Sequence, residues 1–254
     1  VTFITDPLFY LIAVPAVLVV GIGKGGFAGG LGIVAVPLLA LVSSPIQAAG
    51  IMLPILCVMD VTGVKAWLRR WDRGLMVRLL PPAMVGIIVG ALTFRYVTES
   101  FLEILIGTMA LLFSLRYWLG GRIKFSMSLP DGPACWLWSG MSGYTSFVAH
   151  AGGPPLMIYL LPKKLDKSIF VGTVTIYFAG VNYFKLIPYG MLGQLSAENL
   201  GTSLLLAPAA IIGVKLGVWM HDRVNAVLFN RLMYVFLFCA SLKLLWDGWS
   251  QVLA

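Results

Sequence analysis

The chain has 254 residues, of which 59% are hydrophobic and only 11% charged, and its mean hydropathy is +0.93. Soluble domains are about 45–50% apolar and about 25% charged, so a water-soluble globular protein is excluded. The net charge of +8 would suggest nucleic acid in a soluble protein, but here the Lys and Arg residues sit in short loops between apolar runs. That pattern reports membrane topology and leaves no nucleic-acid partner to expect.

At roughly 20 residues per spanning helix, the length holds about eight to ten apolar segments and no second, soluble domain. The first 22 residues lack a basic leader and an AxA-type cleavage site, so they read as a mature helix; the absence of an initiating Met suggests a few residues upstream. Breakers divide the chain into ten segments. The first five cover 7 to 22, 31 to 42, 46 to 66, 76 to 96 and 101 to 119; the second five cover 132 to 149, 154 to 161, 169 to 189, 200 to 220 and 225 to 246. The second and seventh are too short to cross a bilayer, and each follows a glycine-rich break, so they read as half-helices.

The first break is Gly21-Ile-Gly-Lys24-Gly25-Gly26-Phe-Ala-Gly29-Gly30-Leu-Gly32. Glycine at this density disfavours a regular helix, and unpaired backbone in lipid costs several kcal/mol, so an unwound stretch lining a polar cavity is expected. Close helix packing through small residues is the alternative. In the third segment Asp60 lies at membrane depth, either as a coupling site for a proton or as the partner of Lys24 or Lys65. The pairs Gly86/Gly90 and Gly213/Gly217 read as packing faces.

The second break, Gly143-Tyr-Thr145-Ser146-Phe-Val-Ala-His150-Ala-Gly152-Gly153-Pro154-Pro155, runs into prolines suited to a first helical turn. Free N–H groups and the positive end of the dipole make such a terminus an anion site, with Thr145 and Ser146 as hydroxyl donors. His150 is read either as a titrating ligand or as a satisfied buried histidine. Asn182 and Lys185 follow in the eighth segment, Lys185 either contacting substrate or snorkelling outward along its stem.

Two patterns organise these segments. Basic loops near Lys65 to Arg78, Arg116 to Lys124, Lys163 to Lys167 and Arg223 to Arg231 are expected on the cytoplasmic side, with both termini outside. Each half then makes an odd net number of crossings, which inverts the second half relative to the first. The halves also match in sequence. Gly29-Gly30 answers to Gly152-Gly153, Gly50 to Gly172 and Asp60 to Asn182 at an offset of 122 or 123; Pro81, Gly86 and Gly90 answer to Pro208, Gly213 and Gly217 at 127.

The expected fold is therefore an all-α integral membrane protein of two inverted repeats, each a broken-helix hairpin plus three transmembrane helices. The repeats are 1–120 and 132–254, joined by a cytoplasmic linker at 121–131.

The glycine-rich first segment, the Ser146-Phe-Val-Ala-His-Ala-Gly-Gly-Pro-Pro155 stretch running to Tyr159-Leu-Leu-Pro162, and Gly172-Thr…Phe178…Asn182…Lys185 together resemble the sulfite exporter TauE/SafE family. Lys24 departs from the family's commoner glycine pattern. The resemblance implies a multi-pass protein of the bacterial inner membrane that carries small sulfur-containing anions such as sulfite or organosulfonates, with export as the favoured direction.

Combined with the residues, this predicts a secondary transporter working by alternating access, with proton coupling through Asp60 or His150. The predicted substrate site is Lys24, Gly25, Gly26, Gly29, Gly30, Thr145, Ser146, His150, Gly152, Gly153, Asn182 and Lys185. An anion channel using the same loops as a filter is the alternative. An enzyme built on the isolated thiol of Cys57 lacks a neighbouring base, and a cation carrier on Asp60 fits poorly beside several lysines. Cys57, Cys135 and Cys239 form neither a disulfide framework nor a metal motif, and no cofactor is expected. The partners are the anion and the bilayer, with a homo-oligomer left open.

Overall fold

The structure, a computed structural model, describes residues 2–27, 35–94, 96, 98–119, 129–221, 223 and 226–253. Among them the secondary structure is entirely helical: α1 (Pro7–Gly26), α2 (Ala35–Leu39), α3 (Pro45–Trp67), α4 (Arg73–Phe94), α5 (Glu99–Trp118), α6 (Asp131–Ala149), α7 (Gly153–Leu160), α8 (Lys167–Met191), α9 (Ala197–Met220) and α10 (Ala226–Leu253). Gly29, Gly30 and Gly32 of the first glycine run, and 121–128 of the expected linker, lie outside the described residues.

Helix starts follow local chemistry. Side chains of Asp6, Ser44, Thr98, Asp166 and Ser196 each accept a backbone N–H two or three residues on, supplying partners that a helix N-terminus otherwise lacks. Pro7 and Pro45 occupy first turns, where no N–H is needed. Among the described residues six helices, α1, α3, α4, α5, α8 and α9, are long and apolar enough to cross a membrane. Large apolar side chains such as Leu11, Val77, Leu92, Ile187 and Leu204 are exposed on their outer faces, as a lipid-facing surface requires.

The break expected at Gly21 does not occur there. Helix α1 runs on through Gly21, Gly23, Lys24, Gly25 and Gly26, so Lys24, Gly25 and Gly26 belong to its last turn and not to an unwound loop. At 20 residues, α1 is long enough to cross by itself. The glycines serve packing: a Cβ on Gly25 would stand 2.2 Å from the Val214 carbonyl oxygen, and one on Gly26 2.1 Å from that of Gly217. Intrahelical bonds keep the backbone paired, while missing side chains let α9 approach at backbone distance.

The opposite half repeats this contact. Helix α6 packs along α4 as α1 packs along α9; a Cβ on Gly86 would lie 2.0 Å from the Gly140 carbonyl oxygen, and one on Gly143 2.0 Å from that of Ala83. The Gly86 and Gly213 positions, matched by sequence, thus receive the first helix of the other half. Helices α5 and α10 pair with each other, and α3 packs on both α8 and α9. A charged junction fastens one end of the α6–α7 unit: the Asp131 carboxylate takes Arg78 of α4 and Lys163 just after α7, and accepts the Tyr159 hydroxyl at 3.0 Å.

Gly86→Ala is expected to cost at least about 2 kcal/mol by overpacking a backbone contact, read as a lower melting temperature in detergent. Gly190→Ala, where a Cβ meets nothing within 4 Å, is expected to be neutral or stabilising by up to about 1 kcal/mol through helix propensity.

Candidate functional site

Helices α1, α3, α6 and α8 bring their polar residues to one place. Lys24, in the last turn of α1, sets its Nζ 2.6 Å from Asp60 Oδ1 of α3 and donates to the Leu56 carbonyl oxygen at 3.2 Å. The other carboxylate oxygen of Asp60 accepts the Asn182 amide of α8 at 2.8 Å. Asp60 is fully buried, Asn182 is 2% exposed and Lys24 7% exposed. Of the two lysines the sequence offered Asp60 as a partner, Lys24 is the one it meets; Lys65 is exposed towards the far end of α3.

A second cluster lies beside the first. Lys185 is fully buried, which removes the snorkelling alternative. Its Nζ donates to the Ser146 carbonyl oxygen at 2.9 Å and the Ser146 hydroxyl at 3.1 Å, and lies 2.7 Å from His150 Nδ1. The other ring nitrogen, Nε2, is 2.9 Å from the Ala49 carbonyl oxygen. A carbonyl only accepts, so Nε2 carries the hydrogen, and Nδ1 of the neutral ring accepts from the ammonium. All three ammonium hydrogens then have neutral acceptors, and among the described residues no carboxylate stands in salt-bridge contact with Lys185. His150 ends α6 with φ 51°, a left-handed position usually filled by glycine. A histidine there gives α6 its cap and sends the ring between α3 and α8.

Between the clusters lies a cavity of about 30 Å³ lined by Val20, Lys24, Leu56, Ser146, His150, Gly153, Phe178 and Asn182. That volume suits a water or two, or a small ion. Two pairs of lining positions are separated by 122 residues, Lys24 with Ser146 and Leu56 with Phe178, and the lining residue Asn182 follows by the same interval Asp60, which pairs with Lys24. Gly153, the first residue of α7, brings a helix N-terminus to the wall, where the positive end of the helix dipole favours an anion, although Pro154 and Pro155 carry no N–H to donate.

Of the residues predicted for the site, Lys24, Ser146, His150, Gly153 and Asn182 line the cavity, and Lys185 stands behind Ser146 and His150. Gly25 and Gly26 face α9. The Thr145 hydroxyl is spent on the Met141 and Ala151 carbonyls, and the Gly152 carbonyl accepts the Ser142 hydroxyl. Gly29 and Gly30 lie outside the described residues. Sequence reasoning missed Leu56 and Phe178 as lining residues. Their spacing of 122, equal to that of Asp60 and Asn182, is the signal that would have found them. Among the described residues no His, Cys, Asp and Glu group is arranged to hold a metal ion.

No curated protein and no solved structure matches the chain. The model of one family, sulfite exporter TauE/SafE, matches residues 13–244 and so spans both halves and every cavity-lining residue. Buried cations, a helix N-terminus at a small cavity and this end-to-end match agree: the chain belongs to the sulfite exporter TauE/SafE family.

Proposed function

We propose that this protein is a secondary transporter, working as an exporter, for a small sulfur-containing anion such as sulfite or an organosulfonate, and that the anion binds in the cavity between Lys24 and His150. The observation that carries the reading is the buried charge count. Asp60 neutralises Lys24, whereas Lys185 has only neutral acceptors around it. A fully buried ammonium without a counter-ion is costly, and a bound monoanion relieves that cost. Lys24, the Ser146 hydroxyl, the Asn182 amide and the start of α7 offer direct contacts, and Lys185 supplies potential from behind.

The cavity is too small for a larger ligand without movement, which suits carriage by alternating exposure more than a standing pore. The halves 1–120 and 132–254 act as inverted repeats that rock about this site, in a bacterial inner membrane with both termini outside. An anion that draws Lys24 towards itself leaves the Asp60 carboxylate buried without its cation. A proton taken up by Asp60 removes that cost, so anion and proton move together. His150, held between Lys185 and Ala49, relays the state of the anion site to α3 and α8.

Reconstituted protein loaded with unlabelled sulfite is expected to accelerate entry of labelled sulfite, the trans-stimulation of a carrier; equal rates with and without internal sulfite would indicate a channel. Lys185→Met is expected to weaken sulfite binding about tenfold or more, from the loss of a charge-assisted interaction, while the purified variant stays monodisperse. Asp60→Asn is expected to retain transport but lose its dependence on a pH gradient; an unchanged pH dependence would take Asp60 out of coupling. Sulfite or sulfoacetate is also expected to raise the melting temperature by mass action, whereas chloride and acetate at equal concentration leave it unmoved.

A further inference from the structure

A larger cavity, of about 410 Å³, opens at the end of α3, and its lining includes Lys65, Trp67, Arg69, Arg70, Val218 and His221. It lies about 10 Å along α3 from Asp60, seven residues at about 1.5 Å each. Its floor is built. The Trp67 indole donates to the Gly25 carbonyl oxygen at 3.0 Å, His221 Nδ1 is 2.6 Å from the Gly26 carbonyl oxygen, and the two rings meet edge to face at 4.9 Å. These side chains are held by the last carbonyls of α1, the helix that carries Lys24.

The loop carrying the cations is also held in place. The Arg70 N–H donates to the Trp67 carbonyl oxygen at 2.9 Å, and the Asp72 N–H donates to the Thr173 hydroxyl at 2.9 Å. The Arg70 carbonyl sits so close to α8 that a Cβ on Gly172 would meet it at 1.7 Å. The acid nearest in sequence to Arg70, Asp72, turns one carboxylate oxygen to the Leu75 N–H that starts α4 and makes no salt bridge with Lys65, Arg69 or Arg70. Among the described residues, Lys65, Arg69 and Arg70 make no salt bridge, and no carboxylate lines the cavity. Basic residues near helix ends ordinarily face water or a membrane surface. Here three unpaired ones converge on one concave space over a floor fixed by α1, α3 and the end of α9.

We propose that this cavity is a second oxyanion site, which holds a sulfonate, sulfite or phosphate group between Lys65, Arg69 and Arg70 at the mouth of the route to Lys24. The arginine guanidiniums match the paired oxygens of such groups, and the cavity is roomy enough for an organic tail. Two sources offer that chemistry: the transported anion collected from water, and the phosphate of an anionic lipid headgroup. The proposal rests on the transporter reading for its place in the route, but the binding itself is measured independently.

The test is calorimetric titration of the purified full chain with sodium sulfite and with short-chain phosphatidylglycerol, comparing wild type, Lys65→Gln/Arg69→Gln/Arg70→Gln, Arg69→Lys/Arg70→Lys and Lys185→Met. Wild type is expected to bind two equivalents of oxyanion. The triple variant loses the weaker, salt-sensitive one by about tenfold or more, and Lys185→Met loses the other. The lysine double variant keeps the charge and folds with the same floor, so an intermediate affinity supports direct contact. A second equivalent seen only with phosphatidylglycerol supports the site with a lipid headgroup as occupant. If the triple variant keeps both equivalents at wild-type affinity, the second site is overturned while the transport reading stands. If Lys185→Met alone leaves sulfite binding untouched, the central-site reading fails and the second site is judged on the triple variant.

Discussion

Charge cannot be left unanswered inside an apolar bundle, and the structure is arranged around that constraint. Lys24, Asp60 and Asn182 form one chain of contacts from α1 through α3 to α8, so three helices are placed by the need to satisfy a single buried carboxylate. Removing Lys24 would leave the Asp60 carboxylate unpaired in a medium where such a charge costs several kcal/mol. Lys185 follows a different solution. Its ammonium is surrounded by a carbonyl, a hydroxyl and a neutral imidazole, which solvate the charge without cancelling it. In the proposed function, the difference between the two lysines is what gives the cavity its preference for an anion.

Glycine makes these contacts attainable. Helices α1 and α9, and α6 and α4, meet at backbone distance, which draws the polar faces of α1 and α6 towards α3 and α8. The spacing of Gly21 and Gly25 is one helical turn, the interval that close packing needs, and Lys24 projects from the same turn towards Asp60. Packing and the buried ion pair therefore use different faces of one segment. The same division appears in α6, where Gly143 meets Ala83 while Ser146 and His150 turn to the cavity.

The two halves supply unlike chemistry at matched positions. Where the first half has Lys24 and Asp60, the second has Ser146 and Asn182, each 122 residues on, and the second adds Lys185. A pair of identical halves would place two Lys–Asp pairs in contact and crowd the centre with charge. The observed set leaves one ion pair and one separate cation around a small space. The asymmetry lies in the side chains, while the reciprocal packing of helices is shared.

Ten apolar segments, the all-helical class and the two short elements were determined by the sequence itself, because segment length and hydropathy are local properties set against a bilayer of known thickness. So were the family, through motifs covering both halves, and the match of Asp60 with Asn182. The extent of α1 was not: a glycine run favours unwinding by propensity, and only the approach of α9 shows that the same glycines serve a helix–helix contact. Composition likewise left Asp60 with two lysines to choose from and Lys185 with two directions. Only the tertiary structure decided those, because which charges meet depends on how helices distant in sequence are turned towards one another, and no local pattern encodes that rotation.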